Sequence, residues 1–271
     1  MLGDDLEGGW FRRLLQPENP AGLIYAVCVA VGLLGLHQLF QIVLATALML
    51  FTGADLGNTR DLVKANLVII FPASLMVAAA AWWLAGFRGG VRAQVLNMRL
   101  PRFTALGWLV LVLGFMVIMY LSIMAIVLAL GVDLSQYTPG PNGQSPRTGS
   151  AGLVKEAMFD IANEPRLFLL VFPSIALGAP IAEELIFRGQ LFTALSTTRL
   201  GASGTTVVTA ALWALLHVTE PWLSITLIFV MGLIFGWMMF RFGSIWVTMA
   251  CHGAWNGTYA LLILANLGGG T

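Results

Sequence analysis

Seven stretches of the chain, near residues 21–51, 65–87, 104–131, 167–195, 204–219, 222–240 and 244–266, are apolar over most of their length. Only the fourth contains any Asp, Glu, Lys or Arg. A helix rises about 1.5 Å per residue, so roughly 20 such residues cross the ~30 Å hydrocarbon core of a bilayer. In hydrocarbon every backbone N–H and C=O must bond within its own segment, which leaves helices as the spanning form for runs of this length. The sequence therefore predicts an all-α polytopic transmembrane bundle of seven helices, or eight if the first run breaks near Gly32 and Gly35. Composition agrees: 58% of the 271 residues are hydrophobic and 10% are charged, where a soluble domain carries about a quarter. The reading is one integral membrane domain over 1–271, with N-terminal helices in 21–131 and an outer loop at 132–166.

Basic residues set the orientation. The connection 88–103 holds Arg88, Arg92, Arg99 and Arg102 and no acidic residue, which assigns it to the cytoplasm. Alternation then places the N-terminus with Arg12 and Arg13, Arg199 and Arg241 on the same side. Arg60, Lys64, Arg147, Lys155 and Arg166 fall outside, among Asp and Glu. The first twenty residues are acidic before they are basic and contain no apolar stretch, so the first helix is expected to direct insertion itself. Arg outnumbers Lys heavily, which fits a bacterial gene and an inner-membrane location. In the outer loop, Tyr137 to Pro146 is too rich in Pro and Gly for a helix. Leu153, Val154, Ala157, Met158, Ile161 and Ala162 follow at helical spacing and predict a short interfacial helix. A net charge of +1 supplies no field to recruit nucleic acid. Cys28 and Cys251 read as small buried apolar residues.

Of thirteen acidic residues only Glu183 and Glu184 fall within a span, followed by Arg188 on the same helix, and His37, His217 and His252 also lie in spans. A charge at mid-bilayer costs on the order of 3 kcal/mol or more, so such residues face a cavity and tend to carry function. Glu184 and Arg188, four apart, stack on one helical face as an ion pair, read first as structural. Glu183 is rotated by about 100° from Glu184, which leaves it free for proton transfer. Trp213 and His217 share a face of the fifth helix, and His252 and Asn256 share one of the seventh. Glu183, His217 and His252 can then converge on one water molecule, with the Asn256 amide as a donor to a developing oxyanion. Because Glu183 and His217 fall at different depths when counted from the run ends, this convergence requires the fifth helix to be short or to start deep, or the run ends to be displaced by about a turn. His37, beside Gln38 and Gln41, reads as a helix-packing hydrogen bonder. Trp213 and Trp255 read as packing residues, and Gly232 and Gly236 as a small-xxx-small contact.

Three motifs, Glu183-Glu184-Leu-Ile-Phe-Arg188, Trp213-Ala-Leu-Leu-His217 and His252-Gly-Ala-Trp-Asn256, together resemble the CPBP family. That family joins type II CAAX prenyl endopeptidases to bacterial abortive-infection and bacteriocin-processing membrane proteins. The resemblance covers about residues 170–260 and includes Gly243-Ser244-Ile245-Trp246; Trp213 stands where the family usually has Phe. It implies an intramembrane endopeptidase acting on a membrane-anchored peptide or protein, of CAAX or leader-peptide type. Glu183 with His217 would activate water, His252 and Asn256 would stabilise the oxyanion, and Glu184 and Arg188 would organise the site.

Metal use stays open at this point. Glu183, His217 and His252 form a donor set of the His₂Glu zinc kind, while a Glu–His pair alone can also deprotonate water. Two other functions compete: a proton-coupled transporter using the same residues as a relay, and a non-catalytic binding or immunity protein. A transporter of repeat architecture shows interrupted helices in both halves, whereas here the polar residues concentrate in the second half.

Overall fold

A computed structural model of the chain describes residues 22–86, 92–133 and 150–268. All regular structure among them is helical. Helix α1 (Gly22–Thr52) is 31 residues long, about 46 Å by its rise, and so must tilt or project beyond the hydrocarbon. It runs unbroken through Gly32 and Gly35, and a Cβ at either would meet nothing within 4 Å. These glycines therefore mark no close helix approach, and the break allowed for at this point in the first run does not occur.

Helix α2 (Thr59–Ala85) starts where the Asn58 side chain accepts from the Arg60 and Asp61 amides. Thr104 caps α3 (Ala105–Leu130) in the same way by accepting from Gly107 N, filling orphan donors of the first turn. The connection after α3 carries α4 (Ser150–Ala162), a helix where a short one was expected; Tyr137 to Pro146 lie outside the described residues. Then follow α5 (Pro165–Ser196), α6 (Gly201–Leu215), α7 (Trp222–Phe242) and α8 (Ile245–Gly268). Among the described residues five helices, α1, α2, α3, α5 and α7, are long and apolar enough to cross a membrane, against the seven expected, and α6 is shorter.

The solvent logic of the bundle is inverted. Outward faces are aliphatic, as at Ile24, Ile42, Leu121, Leu128 and Leu169, whereas His37, Ser74, Glu184, Arg188, Thr209, Ser244 and His252 are buried. This is the arrangement of an integral membrane protein, whose outside meets acyl chains. Cys28 belongs to the outward set, contrary to the expectation that both cysteines are buried; Cys251 is interior, and both are free. Gly232 packs so closely on α6 that a Cβ there would lie 2.8 Å from the Ala210 Cβ, so α6 and α7 meet backbone to backbone.

Helix α5 is the irregular one. Two π-helical segments, Ser174–Gly178 and Leu185–Leu191, flank Ala179–Glu184. Prolines at 173 and 180 remove amide donors from the i→i−4 ladder, and Pro180 leaves the Ala176 carbonyl without its usual partner. Helix α8 passes over that carbonyl: a Cβ on Gly253 would lie 2.6 Å from Ala176 O. Single-turn π segments of this kind concentrate at functional sites.

The connection between α2 and α3 anchors this region from one end. Asn97 adopts φ 52°, a left-handed conformation that Asn tolerates. Its carbonyl accepts from Ile245 N at 3.0 Å, and its amide donates to Arg188 O at 3.4 Å and to Thr193 Oγ1. Next to it, Met98 O accepts from the Trp246 indole at 2.9 Å. One short loop thus ties the second π segment of α5 to the start of α8. At the opposite end, Asp160 of α4 is gripped by Arg60 and by Lys64 (2.7 Å), both on α2.

Candidate active site

Helices α5, α6 and α8 bring their ionisable residues to one place in the bundle. The α5–α6 junction is a short turn after Ser196. Counted from it, Glu183 and Trp213 each lie about 18–20 Å along their helices, so they sit at one depth. Helix α6 ends at Leu215 and His217 lies in the turn beyond it. Of the alternatives the depth argument left open, the short fifth helix is the one observed.

Glu184 is fully buried. Its Oε1 accepts from Arg188 Nη1 at 3.0 Å and from His252 Nδ1 at 3.1 Å. The i,i+4 pair read from the sequence is present, but it has a third member, since His252 turns to Glu184 rather than to Glu183. Arg188, also fully buried, lays its guanidinium 4.4 Å from the centre of the Trp213 ring and 5.1 Å from that of Phe235. Aromatic faces thus stand in for hydrogen-bond acceptors around a desolvated cation. His252 meets the Trp213 ring edge-on at 5.3 Å and packs on Phe235 at 5.7 Å.

Glu183 is half-buried, and the Trp213 indole N–H donates to its Oε2 at 2.6 Å. The expectation that Glu183 has no partner, and the reading of Trp213 as packing only, are both corrected by this bond. His217 Nδ1 lies 2.9 Å from the Trp213 carbonyl. A carbonyl only accepts, so Nδ1 carries the proton and Nε2 presents its lone pair. The same argument applied to His252, whose Nδ1 faces a carboxylate, leaves its Nε2 open as well. Asn256 Nδ2 donates to Ile175 O at 3.3 Å in the first π segment, and the second N–H of that amide remains for another acceptor.

The six expected residues therefore form a chain of contacts rather than a ring around one point. Glu184, Arg188 and His252 make one buried unit. Glu183 and His217 join it through Trp213. Asn256 is attached one helical turn along α8. Sequence reasoning missed Asn97 and Phe235 as parts of this assembly, and it gave Trp213 no hydrogen-bonding role. A buried indole N–H requires an acceptor, and that rule alone would have flagged Trp213. His37 hydrogen-bonds Ser74 of α2 at 3.2 Å and Gln41 of its own helix at 3.1 Å, and it is close enough to Glu183 to feel that carboxylate's charge.

Among the described residues, no three His, Cys, Asp or Glu side chains are grouped as metal ligands. Glu183, His217 and His252, the donor set expected for zinc, do not form such a group: Glu183 and His217 each bond to Trp213, and His252 bonds to Glu184.

Fold and site together define an integral membrane protein with a carboxylate–imidazole cluster enclosed by its helices. Residues 165–258 match the family model of the Rce1-like proteins, described as type II CAAX prenyl endopeptidase Rce1-like. That segment, about a third of the chain, contains all six expected residues, and over it the chain is similar to that family. No curated protein and no solved structure matches the chain significantly.

Proposed function

We propose that this protein is an intramembrane endopeptidase that hydrolyses a peptide bond in a membrane-tethered protein or peptide. The observation carrying this reading is the meeting of two adjacent carboxylates and two imidazoles around one indole. Glu183, held through Oε2, offers Oε1 to a water molecule and takes its proton, while His217 Nε2 accepts the water's other hydrogen bond. The water oxygen adds to the scissile carbonyl. The resulting oxyanion is met by the free N–H of Asn256 and by His252, which donates from Nε2 when both its ring nitrogens carry protons. Collapse breaks the C–N bond, and the proton on Glu183 passes to the leaving amine, restoring the carboxylate. Glu184 and Arg188 set the orientation of His252 and of the Trp213 ring.

The substrate class is a peptide presented by its own lipid or apolar anchor, either a prenylated C-terminus of the CAAX kind or a leader peptide. The protein is placed in a bacterial inner membrane with its N-terminus cytoplasmic. Supporting that orientation, Arg92, Arg99, Arg102, Arg199 and Arg241 flank one end of the bundle, the end where Asn97 and Met98 bond α5 and α8.

The test is cleavage of a panel of membrane-anchored peptides by reconstituted protein and by Glu183→Gln. A drop of roughly 10³-fold with an unchanged unfolding temperature is expected. Undiminished cleavage, or full biological activity of the variant without cleavage, contradicts the reading and favours a binding role.

A further inference from the structure

We propose that Trp213 is a positioning residue of this site, fixing through one side chain and one carbonyl both the carboxylate and the imidazole that handle the water. The inference rests on the peptidase reading above and goes beyond the motif, in which this position supplies only an aromatic wall. Four observations support it.

The indole N–H is buried with its ring, which is 1% exposed, and its acceptor is an oxygen of Glu183 at 2.6 Å. A donor on an ionised carboxylate in a medium of low dielectric makes a short, strong bond. A carboxylate pinned at one oxygen cannot rotate freely, so the other oxygen is aimed.

The ring itself cannot move aside. Arg188 covers it at 4.4 Å, His252 abuts its edge at 5.3 Å and Phe235 packs at 5.9 Å. Three different helices therefore define the indole's position, and that position is passed to Glu183.

The Trp213 carbonyl sits in the last turn of α6, where carbonyls lack helical partners. It accepts from His217 Nδ1 at 2.9 Å and from Leu216 N at 3.2 Å. The four-residue spacing of Trp213 and His217 places the imidazole over that carbonyl, which fixes the tautomer with Nε2 open.

Finally, the helix bearing Trp213 is locked to α7 by the contact of Gly232 with Ala210, three residues before the tryptophan. Backbone adjustment around the indole is thereby limited. Positioning of this kind acts on the chemical step: a displacement of about 1 Å can lower turnover roughly 100-fold.

The experiment combines kinetics with ultraviolet resonance Raman spectroscopy of the indole N–H band in full-length protein reconstituted in lipid nanodiscs. Trp213→Phe keeps the aromatic wall and deletes the donor. Its kcat on a cleavable membrane-anchored peptide is expected to fall about 100-fold, with KM changed less than about 2-fold. Glu183→Ala, at the other end of the bond, is expected to shift one tryptophan's N–H band towards that of a free indole, and the shift is absent when Glu183→Ala is made in the Trp213→Phe background. This arm needs no cleavage and so separates the two ideas. A wild type that cleaves nothing sinks the peptidase reading, while the Raman shift decides the Trp213–Glu183 bond. Full kcat in a folded Trp213→Phe, or an indole band indifferent to Glu183→Ala, overturns the proposal even if Glu183→Gln abolishes cleavage.

Discussion

The molecule holds two clusters of opposite charge, and they differ in almost every physical respect. Where α2 begins, Arg60 and Lys64 of α2 meet Asp160 and Glu156 of α4, with Arg60 41% and Asp160 25% exposed. In the bundle interior, Glu184, Arg188 and His252 meet with at most 4% exposure of any side chain. The outer cluster joins two helices through long, partly exposed side chains. The inner one is enclosed by Trp213 and Phe235 and has no solvent to fall back on. An ion pair near water is worth at most about 1 kcal/mol. A buried pair contributes little net stability against apolar replacements, yet leaving one member unpaired costs on the order of 3–5 kcal/mol. The outer cluster is therefore a fastening, and the inner one a constraint that adds little to stability.

The largest expected effect breaks the inner cluster from one side. Arg188→Leu leaves Glu184 facing aromatic rings without its cation, and a loss of about 3–5 kcal/mol should appear as a sharp fall in folded yield and unfolding temperature. Glu184→Met combined with Arg188→Met is expected to recover much of that stability while staying inactive, a pattern that separates stability from function. Next comes Gly253→Val, which drives side-chain atoms into the Ala176 carbonyl and should cost roughly 1–3 kcal/mol, read by denaturation in detergent. Asn97→Ala removes the donor to Arg188 O and Thr193 Oγ1 and should cost about 1–2 kcal/mol, with activity falling as the second π segment loosens.

The smallest effect belongs to the outer cluster. Asp160→Asn should cost no more than about 1 kcal/mol, and the difference should shrink in high salt. Burial alone would raise the Asp160 carboxyl, but hydrogen bonds and charge from Lys64 and Arg60 overbalance it and hold the group below the ordinary aspartate range. A depressed folded-state pKa stabilises above the unfolded value near 4 and is lost as pH falls through the folded value. The stability gap between wild type and Asp160→Asn should accordingly be full at neutral pH and close progressively in acid below about pH 4. A gap that widened in acid would contradict this assignment.

The same contrast explains what could be read from the residues. Apolar run length delivered the five long apolar helices among the described residues but not the count of seven, because bilayer thickness is a one-dimensional constraint. The Glu184–Arg188 pair and the Gly232 contact were legible because both follow from spacing along one helix. The choice of His252 for Glu184 over Glu183 was not. Two adjacent carboxylates point about 100° apart, and which one faces α8 depends on the rotation of α5, altered by its π segments. The Trp213 bond needed the depth match between α5 and α6, set by where the intervening turn falls. Asn97 was invisible for a similar reason, since its partners lie about 90 residues away. Gly32 and Gly35 misled in the opposite direction: in a lipid-facing stretch a glycine need mark neither a break nor a contact.

In the proposed reaction Glu183 and its neighbours add water to a peptide bond. It is tested most directly by incubating the reconstituted protein with a membrane-anchored peptide in ¹⁸O-labelled water and weighing the products. Wild type should release a fragment with one ¹⁸O in its new carboxyl terminus, and Glu183→Gln should release none. Equal amounts of labelled product from both proteins would show that the chemistry does not pass through Glu183, and the account would fail.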